Sequence, residues 1–588
     1  MFQSALKIIK YHWLAFVLAL VLAVIIILPN LLSINNAGWK NFNGIYPQFG
    51  NDDDHYLSMA KEVADGHYNL GNPYIKEYKD KPYLQQPLAE IIYSLESRIL
   101  GLSLPVTFVA NDFILPFIAV LLFYSLLWYL LRSRGWASAG TAIFFLLFIN
   151  TFNRPTNPQI SFIFLILGLQ FLARIIAGQN RWREIIIYNV CLALCFGCLF
   201  YIYPFYWMTL VVFYGVASLF SLCLDRRLFY WIKNWLVFAI PAALLALPYF
   251  FNYWRVVHDP YFAETFPRFG FILTHWPASF VNVGLMALAL PLAVWLAYNI
   301  RQQKYLAILV ISLPLTGIIL NWQNILTGKI LQFSCHFYPI MVLFLVILMA
   351  WSAQCLKKQW QSKFSYWQVG LLVYLILMLF FLFVRQRTEL INMWQNLVTP
   401  VDISAWQKLG PVADWLNNHT PADSTVYTIG IKQEWFLPIY TKNNNYFHSY
   451  AGFTLMSDGE LEDRWVRNNY FNRQVDRQLV ETNRDIWANK FIDSYQNRQV
   501  QLKIAGLLAG KSTDPGPVIP VSVVDDLLVK YQRVKQEDFV ATLKKYQVDY
   551  ILLDTGDSAY SDLADSLGKE KDLELLTKIG QFIIYKVK

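Results

Sequence analysis

Three adjacent carboxylates, Asp52, Asp53 and Asp54, followed at once by His55 and Tyr56, are the residues of this 588-residue chain best suited to chemistry. The apolar residues after them, Tyr56, Leu57, Ala60, Val63 and Ala64, recur at helical spacing and stop at Gly66, so the acids fall at the N-terminus of an amphipathic helix. One Asp there serves as the cap, and the helix dipole favours the remaining negative charge. One cap needs one acid, however, and three neighbouring carboxylates repel one another unless a cation, a metal or a reacting group uses them. The dipole also keeps such a group ionised, which suits a proton acceptor or a metal ligand better than a proton donor. A single carboxylate base is what sugar transfer from a phosphate-activated donor requires, because the leaving group is already a stable anion. Glycoside hydrolysis needs a paired acid and base.

Other polar stretches suit an anionic, polyhydroxylated ligand. The segment from His258 to Gly270 carries Glu264 and Arg268, and a shorter one from Thr151 to Pro158 carries Arg154. Both arginines offer the forked donors that fit phosphate oxygens, and both also suit lipid headgroups. Between Asn321 and His336 amides and hydroxyls are dense. Gln332 and His336 are one helical turn apart there, with Lys329 close by, so a helix would put the three on one face. Tyr203, Tyr206 and Trp207 read as residues of an aromatic belt at the membrane surface.

The elements that must position these groups are membrane spans. Hydrophobic residues make up 56% of the chain and charged residues 15%, against roughly 25% charged in a soluble domain. The apolar residues gather into eleven runs of spanning length, near 13 to 32, 109 to 131, 136 to 150, 158 to 177, 184 to 201, 205 to 223, 234 to 251, 279 to 299, 305 to 321, 337 to 355 and 366 to 384. The net charge of +9 comes from basic residues in alternate short connections, among them Lys7, Lys10, Arg132, Arg134, Arg226, Arg227, Lys357 and Lys358. That is a topology signal, with the N-terminus cytoplasmic and the C-terminus outside, and it leaves no call for nucleic acid. The first run reads as an anchor rather than a cleaved signal. The cysteines show no disulfide framework and no metal-type pair.

The fold class expected is a polytopic α-helical membrane protein of about eleven transmembrane helices with a C-terminal soluble α/β domain. Residues 1–385 form the membrane part, including a first outer loop at 33–108, and residues 386–588 an extracytoplasmic domain. In the loop a second amphipathic helix starts at Pro87 and carries Ile91, Ile92, Leu95 and Ile99 on one side. Two such helices would hold the acids against the outer membrane surface. In the C-terminal part, helices are expected over 404–417, 458–505 and 536–546, and strands over 425–429, 521–524, 550–553 and 582–585.

Acids on the outer side are remote from cytosolic nucleotide sugars, so a transferase there would use a donor carried across on a lipid. The span count, the acidic motif in the first outer loop, its two interfacial helices and the C-terminal α/β domain together resemble the GT-C superfamily of membrane glycosyltransferases, which includes protein mannosyltransferases, aminoarabinose transferases and oligosaccharyltransferases. The family often shows an Asp, a second acid, and a Tyr four residues after the first; Asp52, Asp53 and Tyr56 match that spacing, and Asp54 is an extra acid. The resemblance implies Asp52 as general base with Asp53 as its acidic neighbour, in an inverting enzyme of the cytoplasmic membrane. Such an enzyme moves a sugar from a polyprenyl-phosphate donor to a glycan, lipid or protein acceptor. It further implies Asp54, His55, Tyr56, Arg154, Glu264, Arg268, Lys329, Gln332 and His336 as substrate-binding residues among membrane lipids, and a mobile cover near 258–270. Some members place another acid in the next outer loop, whereas this chain has Asn153, Arg154 and Asn157 and no carboxylate. No certain cofactor follows from the motif, and a divalent cation is one use three acids could have. The competing reading is a transporter of lipid-linked glycans, or a polymerase or ligase. An ion-coupled carrier would place ionisable residues near mid-bilayer, where the spans hold few.

Overall fold

The apolar runs become helices packed side by side in a computed structural model that describes residues 2–47, 52–177, 182–226, 228–330, 334–360, 365–482, 486–509 and 514–588. Among the described residues ten helices are long and apolar enough to cross a membrane: Trp13–Ala37, Leu104–Leu131, Gln159–Ala177, Trp182–Phe200, Pro204–Leu224, Leu228–Val257, Phe280–Asn299, Lys304–Thr327, Cys335–Trp360 and Tyr366–Arg385.

The run expected as the third span is a shorter helix, Arg134–Leu147. Its 14 residues cover about 21 Å at about 1.5 Å each, less than the roughly 30 Å of a hydrocarbon core. Its ends still reach opposite ends of the bundle. Arg134 donates to the Tyr11 carbonyl at 2.9 Å, just before the first span, while beyond the other end Thr151 and Arg154 meet Glu389 and Asp52. Turns over residues 148–150 and the 3-10 helix Thr151–Asn153 follow it.

Helices Asp53–Asp65 and Leu88–Leu100 form in the first long loop, and both end on glycines, Gly66 and Gly101, whose φ of 109° and 65° a side chain would resist. The second helix exposes Leu95 and Ile99 and buries Ala89, Glu90, Tyr93 and Ser94, so one face packs on protein and an apolar stripe faces away from it. The first is placed differently from the expectation. Tyr56, Leu57, Met59, Ala60 and Val63 are all buried, and the helix packs against Leu88–Leu100, the Leu104–Leu131 span and the C-terminal helix Phe436–Tyr440. Its apolar face is used up on protein, so it is clamped between bundle and C-terminal part instead of lying on lipid.

Strands β1 (Ile272–Leu273) and β2 (Lys329–Ile330) make a short antiparallel bridge between two interhelical loops. The C-terminal part holds β3 (Thr425–Ile429), β4 (Asn444–Asn445), β5 (Tyr550–Asp554), β6 (Leu573–Ile579) and β7 (Phe582–Val587), in the order β4-β3-β5-β7-β6. β3 runs parallel to β4 and β5; β7 runs antiparallel to β5 and β6. Alternate residues enter two separate cores, Tyr427, Ile429, Ile551 and Leu553 on one face, Val426, Tyr550, Leu552 and Ile584 on the other, so helices cover both faces. Ile45 of the first long loop joins the second core. Val521–Val524, expected as a strand, instead starts the helix Val521–Val534, which buries Val524, Leu527, Tyr531 and Val534 along one stripe. The long helix expected over 458–505 is interrupted: Asp458–Asn468 and Ile492–Ala509 are separate.

Candidate active site

Asp52 precedes the Asp53–Asp65 helix in the N-cap position, yet its carboxylate caps no backbone N–H. Its φ of 71° lies in the left-handed region, uncommon for a residue with a side chain. The carboxylate goes to partners far along the chain. Oδ1 accepts from the Tyr450 hydroxyl at 2.7 Å and Oδ2 pairs with Arg154. At 36% side-chain exposure it can still be reached from outside. The capping explanation therefore does not account for Asp52. Asp54 takes the local bond instead, accepting from the His55 N–H at 2.9 Å, and burial pushes its carboxyl above the usual range. Asp53 lines a small cavity with Asn30, Tyr46, Phe108, Asp112 and Asn153.

Arg154 is held by the turn before it. Phe152 packs 4.5 Å from Phe145 and 5.3 Å from Phe162 between ring centroids, and its carbonyl accepts from Gln159 Nε2 at 3.1 Å. Glu389 Oε2 takes both the N–H and the hydroxyl of Thr151 at 2.8 Å. The guanidinium then meets Asp52 and lies 3.5 Å from the Tyr56 hydroxyl and 5.8 Å from that ring's centroid. Burial pushes the Tyr56 phenol up to about 12, so at neutral pH it is a neutral donor. Arg154 Nε is buried with no hydrogen-bond partner among the described residues, so the fork keeps an unused donor.

His55 is a strut. Its Nδ1 meets the Tyr74 hydroxyl at 2.6 Å, its Nε2 meets Gln85 Oε1 at 2.7 Å, and its ring stacks on Tyr450 at 4.8 Å. Burial lowers its pKa, keeping the imidazole neutral. Tyr74 in turn stacks on His448 at 3.8 Å, so the turn Ser449–Phe453 that presents Tyr450 is anchored to the first long loop. His336 stacks on Phe205 at 4.5 Å and bonds Tyr203 through Nδ1. Burial holds the Tyr203 phenol well above its ordinary value, with Tyr56 and Arg154 among the charges it feels. Tyr203 and Tyr206 are buried within the protein and are not belt residues facing lipid.

Three of the sequence's candidates, Arg268, Glu264 and Lys329, have other partners. Arg268 is fully buried: Nη1 donates to Asp458 Oδ1 at 2.6 Å, and Nη2 to Thr265 Oγ1, the Thr454 carbonyl and the Met456 carbonyl at 2.8, 3.1 and 2.7 Å. Those terminal nitrogens are spent at the joint with the C-terminal part, which leaves no fork for phosphate. Glu264 accepts from the Asp458 N–H at 2.7 Å and fastens the same joint. Lys329 places its ammonium 4.6 Å from the centroid of Phe266. Gln332 falls outside the described residues. Arg268→Ala removes the charge-assisted bond to Asp458, which keeps Lys490, and leaves the Thr454 and Met456 carbonyls without their donor; a cost of about 1.5–3 kcal/mol is expected, measured as a lower melting temperature with turnover per folded molecule unchanged.

Sequence reasoning missed Tyr450, Tyr74, Gln85 and His448. A divalent cation at the acids does not fit the residues present, because the Arg154 guanidinium already stands against Asp52 where a dication would be repelled. Asp112 is likewise committed, accepting from Asn30 Nδ2 at 2.7 Å and Gln159 Nε2 at 2.6 Å.

No family model and no curated protein matches the chain. Among solved structures it is similar to ArnT from Cupriavidus metallidurans in the apo state, with a TM-score of 0.41 and 12% identity over 91% of this chain and 93% of that one. It is also similar to ArnT from Cupriavidus metallidurans bound to undecaprenyl phosphate, with a TM-score of 0.45 and 12% identity over 98% of each chain.

Proposed function

We propose that the chain is an inverting membrane glycosyltransferase that takes a sugar from a polyprenyl-phosphate donor on the outer side of the cytoplasmic membrane. The observation that supports this most is Asp52, a reachable carboxylate at a helix N-terminus that leaves its capping bond unmade and pairs with a half-buried arginine. With no donor, Arg154 neutralises Asp52. A donor phosphate competes for the guanidinium, whose fork fits its oxygens, and in taking it releases Asp52 Oδ2. The acceptor hydroxyl then gives its proton to Asp52, its oxygen bonds the anomeric carbon, and the bond to the phosphate oxygen breaks. The electron pair leaves with the polyprenyl phosphate, held by Arg154 with His336 and Tyr203 nearby. No step passes through a metal.

The reading keeps the division at residue 385 but assigns the site to both parts, since Tyr450 from the second holds Asp52 of the first. Tyr450→Phe removes one hydrogen bond to a charged group, worth about 1.5–3 kcal/mol. It is expected to slow turnover about tenfold or more while donor KM stays the same.

The test is transfer from a panel of radiolabelled polyprenyl-phosphate sugars by the purified protein, with and without EDTA. Transfer that survives EDTA supports the reading and names the sugar. No transfer from any donor by folded protein turns the reading toward a transporter or polymerase.

A further inference from the structure

The Leu88–Leu100 helix turns a carboxylic acid inward. Glu90 is fully buried, on the face opposite to Leu95 and Ile99. Its Oε1 lies 3.4 Å from the hydroxyl of Thr156, two residues beyond Arg154, and its Oε2 has no hydrogen-bond partner among the described residues. Thr156 itself has a φ of 22°, strained for a β-branched residue, so the loop at this point is held in place by its surroundings. Tyr56 is close enough to Arg154, Asp52 and Glu90 to respond to a charge on each of them.

A buried carboxyl with so few donors is cheaper neutral than ionised. Burial pushes Glu90 up to about 8, with only its own backbone and Thr156 opposing. The titratable groups near it are Tyr56 from the Asp53–Asp65 helix, Tyr93 from its own helix and, around Tyr93, Asp112 and Glu96. The two tyrosines are held neutral, so none of these supplies a cation to stabilise a glutamate.

We propose that Glu90 is a positioning residue of the phosphate site: neutral, it lets the Arg154 loop close on a lipid-phosphate anion, and ionised it opposes that anion. The proposal rests on the reading of the site as one for a polyprenyl phosphate. An ionised Glu90 would add a second negative charge beside Tyr56 and the Thr156 turn, and would repel the ligand. Only the neutral fraction of the protein would bind well.

The experiment measures binding of undecaprenyl phosphate to the full chain in nanodiscs, for wild type and Glu90→Gln. With the competent fraction set by Glu90, wild-type affinity falls about tenfold or more between about pH 7.5 and about pH 9.5. The Gln variant, an isostere of the neutral acid, binds equally at both. Equal wild-type affinity at both pH values overturns the role of Glu90 and leaves the lipid-phosphate reading standing, as does a fall that Glu90→Gln shares. No wild-type binding at the lower pH overturns both. A parallel melting series needs no ligand. Folded Glu90 keeps its proton above the unfolded value of about 4.3, so this contribution to stability is complete below that pH and is lost as pH rises through about 8. The loss is expected in wild type and absent in Glu90→Gln; a melting curve with the same pH dependence in both shows that Glu90 does not titrate there and overturns the proposal.

Discussion

Asp52→Asn abolishes measurable transfer while the protein stays folded. The substitution keeps the size of the side chain and an oxygen for the Tyr450 hydroxyl, but removes the group that takes the acceptor's proton. A general base contributes about 10²- to 10⁴-fold, and the fall should appear in turnover, with donor binding retained because Arg154 is still present. Loss of the ion pair costs little stability. Asp52 is more than a third exposed, and such pairs are worth about 1 kcal/mol or less. The measurement is kcat and donor binding on the same preparation, with the melting temperature as a control; wild-type turnover in the variant removes Asp52 from the chemistry.

Arg154→Gln is expected to act in the opposite way, weakening both donor binding and turnover. The guanidinium is the one cation found against Asp52 among the described residues, and the loop behind it is fixed by Phe152, Thr151 and Gln159. Losing a charged donor aimed at a leaving phosphate costs about 10²- to 10³-fold. Arg154→Lys restores the charge without the fork and should recover only part of the loss. Equal effects of Lys and Gln would show that forked geometry has no role, and undiminished transfer in either would move the phosphate elsewhere, with Lys329 the next cation to test.

The spans were legible because each is a run of about 20 apolar residues, a signal written locally in the chain. The helices of the first long loop were legible from amphipathic spacing, an equally local signal, with Gly66 and Gly101 marking their ends. Val521–Val524 misled because four β-branched or small residues look like a strand, and only the next ten positions reveal a helical stripe. Strand β6 was missed since most of its residues are exposed or partly so, and its charged, edge character hides the alternation.

In the site, sequence pointed to Asp52 and Arg154 but not to their pairing, which joins residues 102 apart, nor to Tyr450, 398 residues from Asp52. No periodicity encodes such contacts. Arg268 shows the converse: as a residue type it suits phosphate as well as Arg154 does, and what decides is Asp458, 190 positions away. The same folding that buries Arg268 completely at its joint leaves the Arg154 side chain 23% exposed beside Asp52.

The register of the motif is the point on which the account turns, because three acids stand in a row and only Asp52 combines exposure with the Arg154 and Tyr450 contacts. The most direct measurement is single-turnover transfer from a radiolabelled polyprenyl-phosphate sugar by wild type, Asp52→Asn, Asp53→Asn and Asp54→Asn side by side. The account predicts that the chemical step disappears in Asp52→Asn and survives, slowed, in the other two. Full activity in Asp52→Asn, with the step lost in Asp53→Asn or Asp54→Asn instead, would contradict it.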